Sequence, residues 1–293
     1  MRKRAGRKEA KNFTHFSGIT GLIRVALLLP AGLVTLVAFV LPMAWLARLS
    51  LASANGGVLV DTVSLGNYVR FFTDAFYLGV LWRSVWLAAS VAALSVLASY
   101  PIALFLVRSR SRWRGLLAVL VISPLLVSSV VRTFGWMIIL GDRGWINGGL
   151  ALLGAGPLRL MNSIWGVLIG LTEIMMPTTT LALLAGFARL DPTVEEAAGS
   201  LGAPPWRRFL RITLPLTMPG IVVGLLVGFV LAISSFVTPS LLGGGRVAVL
   251  AKTIYEEALE TLDWPFAAAV AVILVAVFGC ALVGYERLAR RWQ

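Results

Sequence analysis

The sequence predicts an all-α membrane protein of six transmembrane helices, and three observations carry that expectation. Of the 293 residues, 58% are hydrophobic and only 13% are charged, more apolar surface than one soluble core of this length encloses. Stretches with no charge, or a single charge, recur at about the 20 residues that a helix needs to cross a bilayer. Basic residues gather on alternate connectors, as they do on the cytoplasmic side of membrane proteins.

The elements follow in order. Residues 1–24 form a basic cytoplasmic tail, and residues 25–291 form one membrane domain. The first charge-free window, 25–47, is longer than a signal-peptide core of about 7–15 residues, so a retained anchor is expected. The connector over 49–83 contains Asn67-Tyr68-Val69-Arg70-Phe71-Phe72-Thr73, an amphipathic helix lying along the interface. Span two is 84–107, and span three is 115–141, broken only by Arg132. Span four runs from about 163 to 185 and tolerates Glu173; span five falls within 212–245 and span six within 264–285. Gly166 and Gly170, and Gly220, Gly224 and Gly228, are spaced by four and give small-residue faces for close helix packing. Prolines 30, 42, 101, 124, 177 and 219 lie in or near spans and mark bends.

Six spans place four basic groups together: the tail with Arg24, the Arg108–Arg114 connector, Arg189 with Arg207, Arg208 and Arg211, and the C-terminal Arg287, Arg290 and Arg291. They hold 18 of the 26 Lys and Arg residues, so that side is cytoplasmic and both termini lie on it. The formal net charge of +13 therefore fits topology and anionic lipid rather than nucleic acid.

The inventory excludes several chemistries. The only lysines are Lys3, Lys8, Lys11 and Lys252, and none follows a glycine, so no phosphate-binding loop of the Walker type is present and the chain does not hydrolyse ATP. A lone His15 in the basic tail and a lone Cys280 in the last span supply neither a metal cluster nor a catalytic triad. No metal and no cofactor is expected on this chain, and no enzymatic activity.

Residues 191–215 are polar, basic and ordered by their own local signals. Asp191 is a candidate helix cap with Pro192 as first residue, Thr193 and Glu196 have capping-box spacing, and Gly202 supplies a C-terminal stop. Ala197, Ala198 and Gly202 carry almost no side chain and admit a partner close to the backbone, with Glu195 and Glu196 near the positive helix end. A second helix restarts at Pro204-Pro205, with Trp206, Phe209 and Leu210 on one side and Arg207, Arg208 and Arg211 on another, until Pro215 interrupts it. A plain amphipathic connector is the competing interpretation.

Two ionisable residues fall inside spans, where charge is expensive. At about 1.5 Å per residue, Arg132 sits roughly 12 Å inside the outer end of span three and Glu173 roughly 15 Å inside that of span four. Their depths match, so they face the bundle interior, paired with each other or separately touching a polar solute; a purely structural ion pair is the alternative.

Glu196-Ala197-Ala198, Gly202, then Ile212, Leu214 and Pro215 resemble the cytoplasmic EAA loop of ABC importer permeases. Residues 131–136, 141–147, 201–203, 213–220, 241–244 and 263–266 extend the similarity over roughly 67–285, to the spermidine/putrescine group of type I ABC importers. The resemblance implies the type I permease (MetI-like) fold in a bacterial inner membrane and alternating access driven by ATP and magnesium held on a partner. Its implied partners are two ATP-binding subunits, a second permease subunit and a periplasmic solute-binding protein, beside the lipid bilayer. Glu195, Glu196, Ala197, Ala198, Gly202, Trp206 and Pro215 are then the ATPase-coupling residues, and Arg132, Trp136, Glu173 and Pro177 the translocation-pathway candidates. Permeases for iron, sulfate or thiosulfate, and aminoethylphosphonate resemble the same group; a secondary transporter or channel is the alternative from another class. A cationic solute would favour Glu173, Trp136, Trp145, Tyr255, Glu256, Glu257, Glu260 and Asp263. The competing roles are an interfacial aromatic belt and, near Glu257, a solvated face or receptor-docking surface.

Overall fold

A computed structural model describes residues 29–30, 32–55, 58–60, 63–109, 111–187 and 191–290. The basic tail over 1–24, together with Arg110, Arg189 and Arg291, lies outside the described residues. Among them, five helices are long and apolar enough to cross a membrane. These are α1 (Gly32–Ser50), α3 (Ala75–Arg108), α7 (Ile164–Phe187), the continuous helix Pro205–Ser234 and α13 (Trp264–Ala289). A bent pair, Trp113–Leu126 and Ser129–Leu152, turned by 104° at its break, makes a sixth when it is taken as one span.

That bend corrects the straight third span expected over 115–141. Helix α4 (Trp113–Ile122) runs into a 3-10 turn, Ser123–Leu126, that contains Pro124. Val127 is extended at ψ 133°, and the Ser128 hydroxyl then caps a new helix, α5 (Ser129–Leu140), by accepting from the Val130 amide at 3.3 Å. A proline in the last turn and a serine cap four residues on end one helix and start another. Helix α6 (Trp145–Leu152) extends the second arm. Arg132 is therefore one turn into α5 rather than midway along a straight span.

The connector between α1 and α3 carries one expected and one unexpected element. Helix α2 (Gly66–Thr73) is amphipathic, burying Phe71 while Val69 and Phe72 stay exposed. Before it stands a small antiparallel hairpin, β1 (Ser53–Asn55) with β2 (Val58–Val60), which helical periodicity did not indicate. Helix α3 also begins nine residues before the charge-free window, because Asp74 caps it by accepting from the Phe76 amide at 2.8 Å.

Helices α3, α7 and α10 (Leu214–Ser234) pack on one another as the centre of the bundle, and α13 closes against α10 and the short α12 (Leu250–Leu259). The small-residue faces lie at their crossings. A Cβ on Gly228 would meet Ala92 Cα at 3.2 Å, one on Gly224 Val96 at 3.3 Å, and one on Gly186 would collide with the Gly220 backbone. In lipid no hydrophobic force joins helices, so close backbone approach supplies the attraction. Several buried hydroxyls bond the carbonyl one turn back, as Ser95 to Val91 at 2.7 Å and Thr179 to Met175 at 2.9 Å, which satisfies those donors in the apolar interior. Helix α1 differs: no residue of its most apolar window is buried against the rest of the chain.

Candidate functional site

Two constellations stand out, one on the face where α7 ends and α10 begins and one inside the bundle. The first is built on α8 (Pro192–Ser200). The Asp191 carboxylate accepts from the Thr193 amide at 2.9 Å; that bond holds its pKa below the usual 3.8. At the other end the Ala203 amide donates to Ala198 O and the Gly202 amide to Gly199 O, both at 3.0 Å, a Schellman turn whose left-handed residue is Gly202 at φ +81°. Both caps expected from the sequence are present. The Thr193–Glu196 capping box is not: Asp191 occupies the cap position, so Glu196 lies too far along the helix to return a bond, and its side chain is exposed with no partner among the described residues.

Glu195 behaves differently from its neighbour. Its carboxylate takes the Arg108 guanidinium from the end of α3 and the Thr213 hydroxyl at the foot of α10, and Arg108 also donates to Thr213 Oγ1 at 3.0 Å. Glu195 is thus a strut from the short helix to two spans, while Glu196 and Ala197 remain on its exposed side. Tyr100 reinforces the same corner, bonding Thr217 Oγ1 at 3.0 Å and packing edge-on against Phe187 and Phe209.

Pro215 does not interrupt the following helix, as the sequence suggested. Helix α9 (Pro205–Arg208), a π-turn at Phe209–Thr213 and α10 form one run of 30 residues. The wider turn accommodates the missing amide and the ring of Pro215 without a break. It also shifts the register: Phe209 points to Tyr100, whereas Trp206 and Leu210 are exposed and the Arg207 guanidinium lies 5.1 Å from the Trp206 ring centre. The three apolar residues therefore do not share one face.

The second constellation joins all four intramembrane candidates. Arg132 Nη2 donates to Glu173 Oε1 at 2.6 Å and to the Glu173 carbonyl at 3.0 Å, while Trp136 Nε1 donates to Glu173 Oε2 at 3.0 Å. Pro177 explains the carbonyl. It lies four residues after Glu173 and has no amide to satisfy that oxygen, so Arg132 does. Arg132 Nη1 also reaches the Pro124 carbonyl at the helix break at 3.4 Å, which accepts from the Val127 amide as well. Arg132 Nε is buried without an acceptor. The Arg132 side chain is 11% exposed and that of Glu173 35%, so the carboxylate is the open side of the pair.

At the end of the bundle where α12 meets α13, Glu257 is not the solvated group its acidic neighbourhood suggested. It is 8% exposed, accepts from Tyr77 OH at 2.9 Å and from Thr261 Oγ1 at 2.8 Å, and belongs to a cluster in which Arg70 pairs with Asp263 at 2.9 Å and lies 4.0 Å from the Phe266 ring centre. Tyr255 stacks on Phe236 with centroids 5.4 Å apart, and Trp145 is exposed.

Sequence inspection missed Gly199, against which Arg208 folds: an added Cβ would stand 2.9 Å from Arg208 Nη1. It also missed Arg108 and Thr213, whose sole signal was position at helix ends.

The family described as binding-protein-dependent transport system inner membrane component matches residues 95–293. The spermidine/putrescine transport system permease protein PotB of Escherichia coli (strain K12) is 35% identical over 229 residues, covering 78% of this chain and 83% of that protein. PotB of Haemophilus influenzae is 32% identical over 227 residues, 77% of this chain and 79% of that protein. The sulfoquinovosyl glycerol transport system permease protein SmoG of Agrobacterium fabrum is 29% identical over 287 residues, 92% and 91% of the two chains. A solved bacterial alginate ABC transporter, in complex with an alginate pentasaccharide-bound periplasmic protein, has a chain with TM-score 0.71 at 19% identity, covering 92% of this chain and 94% of that one; at that identity the likeness establishes the fold alone. A six-span bundle, a doubly capped helix on one face and family similarity over most of the length converge, and the chain belongs to the binding-protein-dependent transport system inner membrane components, the permease subunits of ABC importers, resembling the spermidine/putrescine group.

Proposed function

We propose that this permease moves a polyamine, such as spermidine or putrescine, from a periplasmic binding protein into the cytoplasm of a bacterium by alternating access in the inner membrane. Residues 25–291 serve as one permease domain, 1–24 as a cytoplasmic tail, and both termini face the cytoplasm. A second permease subunit completes the path, and two ATPase subunits supply ATP and magnesium chemistry that this chain lacks residues to perform. Helix α8 is the contact to the ATPase. Its exposed Glu196 and Ala197, and the close backbone approach permitted by Ala198 and Gly202, suit a groove on a partner, with Trp206 beside them at the interface. Motion imposed on α8 passes through Glu195 to Arg108 and Thr213, hence into α3 and α10, with Pro215 keeping the π-turn in that path.

The observation that carries the solute class is the asymmetry of the intramembrane pair. The guanidinium is turned inward onto Glu173 and two carbonyls, while the Glu173 side chain is the more exposed partner, with the half-buried Trp136 ring beside it. A cation finds an acceptor and a π face there; sulfate, thiosulfate or a phosphonate would meet Arg132 Nη groups already engaged by the protein, and the one free donor, Nε, is buried. The 32–35% identity to PotB supports the same solute. The test is ATP-dependent uptake by the assembled transporter in proteoliposomes, with radiolabelled spermidine, sulfate and ferric iron compared. Uptake of spermidine that falls on Glu173→Gln supports the assignment; receptor-dependent uptake of sulfate or iron instead overturns it.

A further inference from the structure

The Arg132 guanidinium is not placed as a free arginine–carboxylate pair would place it. Left to itself, a guanidinium meets a carboxylate with two parallel N–H donors on the two oxygens. In this bundle only Nη2 reaches the carboxylate, at Oε1, and the same nitrogen also donates to the Glu173 carbonyl, while Nη1 donates to the Pro124 carbonyl. Nε is buried with no acceptor. A buried donor left unmet costs free energy, so the two backbone carbonyls, rather than the carboxylate, set the orientation of the group.

The two carbonyls differ. That of Pro124 also accepts from the Val127 amide, whereas that of Glu173 has lost its helical donor because residue 177 is a proline. Helix α7 runs on past Pro177 and is pinned beside it from α3, where the Ser99 hydroxyl donates to the Met176 carbonyl at 3.1 Å. What the proline contributes is therefore a missing amide rather than a break. The consequence falls on the far carboxylate oxygen. Glu173 Oε2 keeps only the Trp136 indole, at 3.0 Å, and a bond from a neutral donor is roughly half as strong as one from a charged donor. One oxygen is neutralised within the chain, and the other is left for a charge from outside.

We propose that Pro177 is a positioning residue for the solute: by withholding an amide from the Glu173 carbonyl it draws Arg132 onto the backbone and keeps Glu173 Oε2 for a cationic amine, an assignment that rests on Glu173 being the acceptor for the solute. An alanine at 177 would return the amide, and the Glu173 carbonyl would close its own helical turn. Arg132 could then turn two donors onto the carboxylate, and the solute would compete with a guanidinium in place of an indole.

Two measurements on P177A test this. In ATP- and receptor-dependent uptake by the assembled transporter in proteoliposomes, P177A is expected to raise the KM for spermidine about tenfold, the effect of roughly one charge-assisted hydrogen bond, with Vmax nearly kept. Pro177→Ser, which carries the same amide, should raise KM alike. An unchanged KM, with or without a fall in Vmax, makes the proline a bend in the helix and overturns the proposal. The unfolding midpoint should not fall, because alanine is the better helix former; a fall that accompanies the rise in KM assigns the effect to damage and overturns it equally. The second measurement needs no solute. In the full chain labelled with fluorotryptophan, the Trp136 fluorine resonance, identified by its absence from Trp136→Phe, should shift in P177A as the indole loses Oε2 to Arg132. The same substitution made in the R132Q chain should leave it in place. An unmoved resonance in P177A, or an equal movement with and without Arg132, overturns the positioning role. If wild type takes up no spermidine, the solute assignment falls and the fluorine comparison alone decides the role of Pro177.

Discussion

The α8 segment and the intramembrane cluster are both built around a glutamate, and they hold it in opposite ways. On α8 the two acidic side chains are adjacent in sequence and divide the labour: Glu195 turns back to Arg108 and Thr213, and Glu196 stays open. In the bundle a single Glu173 does both, with one oxygen on Arg132, the other on Trp136, and about a third of the side chain still open. A helix in water can spare a charge for a partner because solvent screens it. Inside the bilayer the same charge needs a counter-ion within the chain, so whatever touches solute must also be structural.

The sharpest way to break this comparison is Arg132→Gln. It strands the Glu173 carboxylate and is expected to cost about 3 kcal/mol of stability, measured as a shifted unfolding midpoint in mixed micelles. The R132Q/E173Q chain should recover much of the loss while remaining inactive in spermidine uptake. If the two single losses simply add, the pair is not coupled and the comparison fails.

Gly202→Val comes next. A β-branched residue in the left-handed region costs about 1–2 kcal/mol, enough to undo both Schellman bonds and turn the end of α8. Uptake should be lost together with receptor stimulation of the ATPase, whereas assembly with the permease partner is kept. Normal stimulation without uptake would contradict the coupling role.

A smaller effect separates the two neighbouring glutamates. Arg108 is 39% exposed, so Glu195→Gln or Arg108→Gln should cost about 1 kcal/mol or less, and the double variant no more than either alone. Glu196→Gln should leave the unfolding midpoint unchanged and lower only affinity for the ATPase, read by titrating that subunit. An equal loss of stability from Glu196→Gln would merge the roles assigned to the two residues.

The smallest effect is a pH dependence at Asp191. Its carboxylate is stabilised as the anion by the Thr193 amide, so the pKa in the folded chain lies below 3.8. The cap is fully present above that ordinary value and is lost as pH falls through the depressed one. The protection of the Thr193 amide from hydrogen exchange, measured against the unprotected chain at the same pH, should therefore be high at neutral pH and fall only in acid; Asp191→Asn should flatten that dependence. A loss of protection centred near pH 6 would point to another group.

The two regions were unequally legible in the sequence, and the reason is range. The bonds of α8 span two to five residues: Asp191 to Thr193, Ala198 to Ala203, Gly199 to Gly202. Local spacing states them, and the cost of an intramembrane charge was enough to single out Arg132 and Glu173. Local spacing misled where two patterns overlapped. Thr193 and Glu196 have capping-box spacing, but Asp191 two residues earlier is the stronger acceptor in place. Pro215 looks like a stop until a π-turn ahead of it absorbs the missing amide. Val127 and Ser128 sit in a stretch whose hydropathy is uniform, so no periodicity marked the 104° bend.

What the sequence determined by itself is the class of solvent, the number of crossings, the small-residue faces and both ends of α8, because each depends on composition or on neighbours along the chain. Only the tertiary structure decided that Glu195 rather than Glu196 is the strut, that Pro177 leaves a carbonyl for Arg132, and that Arg207, Arg208 and Arg211 wall a hollow without a counter-ion among the described residues. Those outcomes join groups 41 and 87 positions apart, or set by a register shift in one turn of helix. Which partner a charged side chain finds depends on how helices cross, and the crossing is fixed by close packing across the bundle rather than by spacing along the chain.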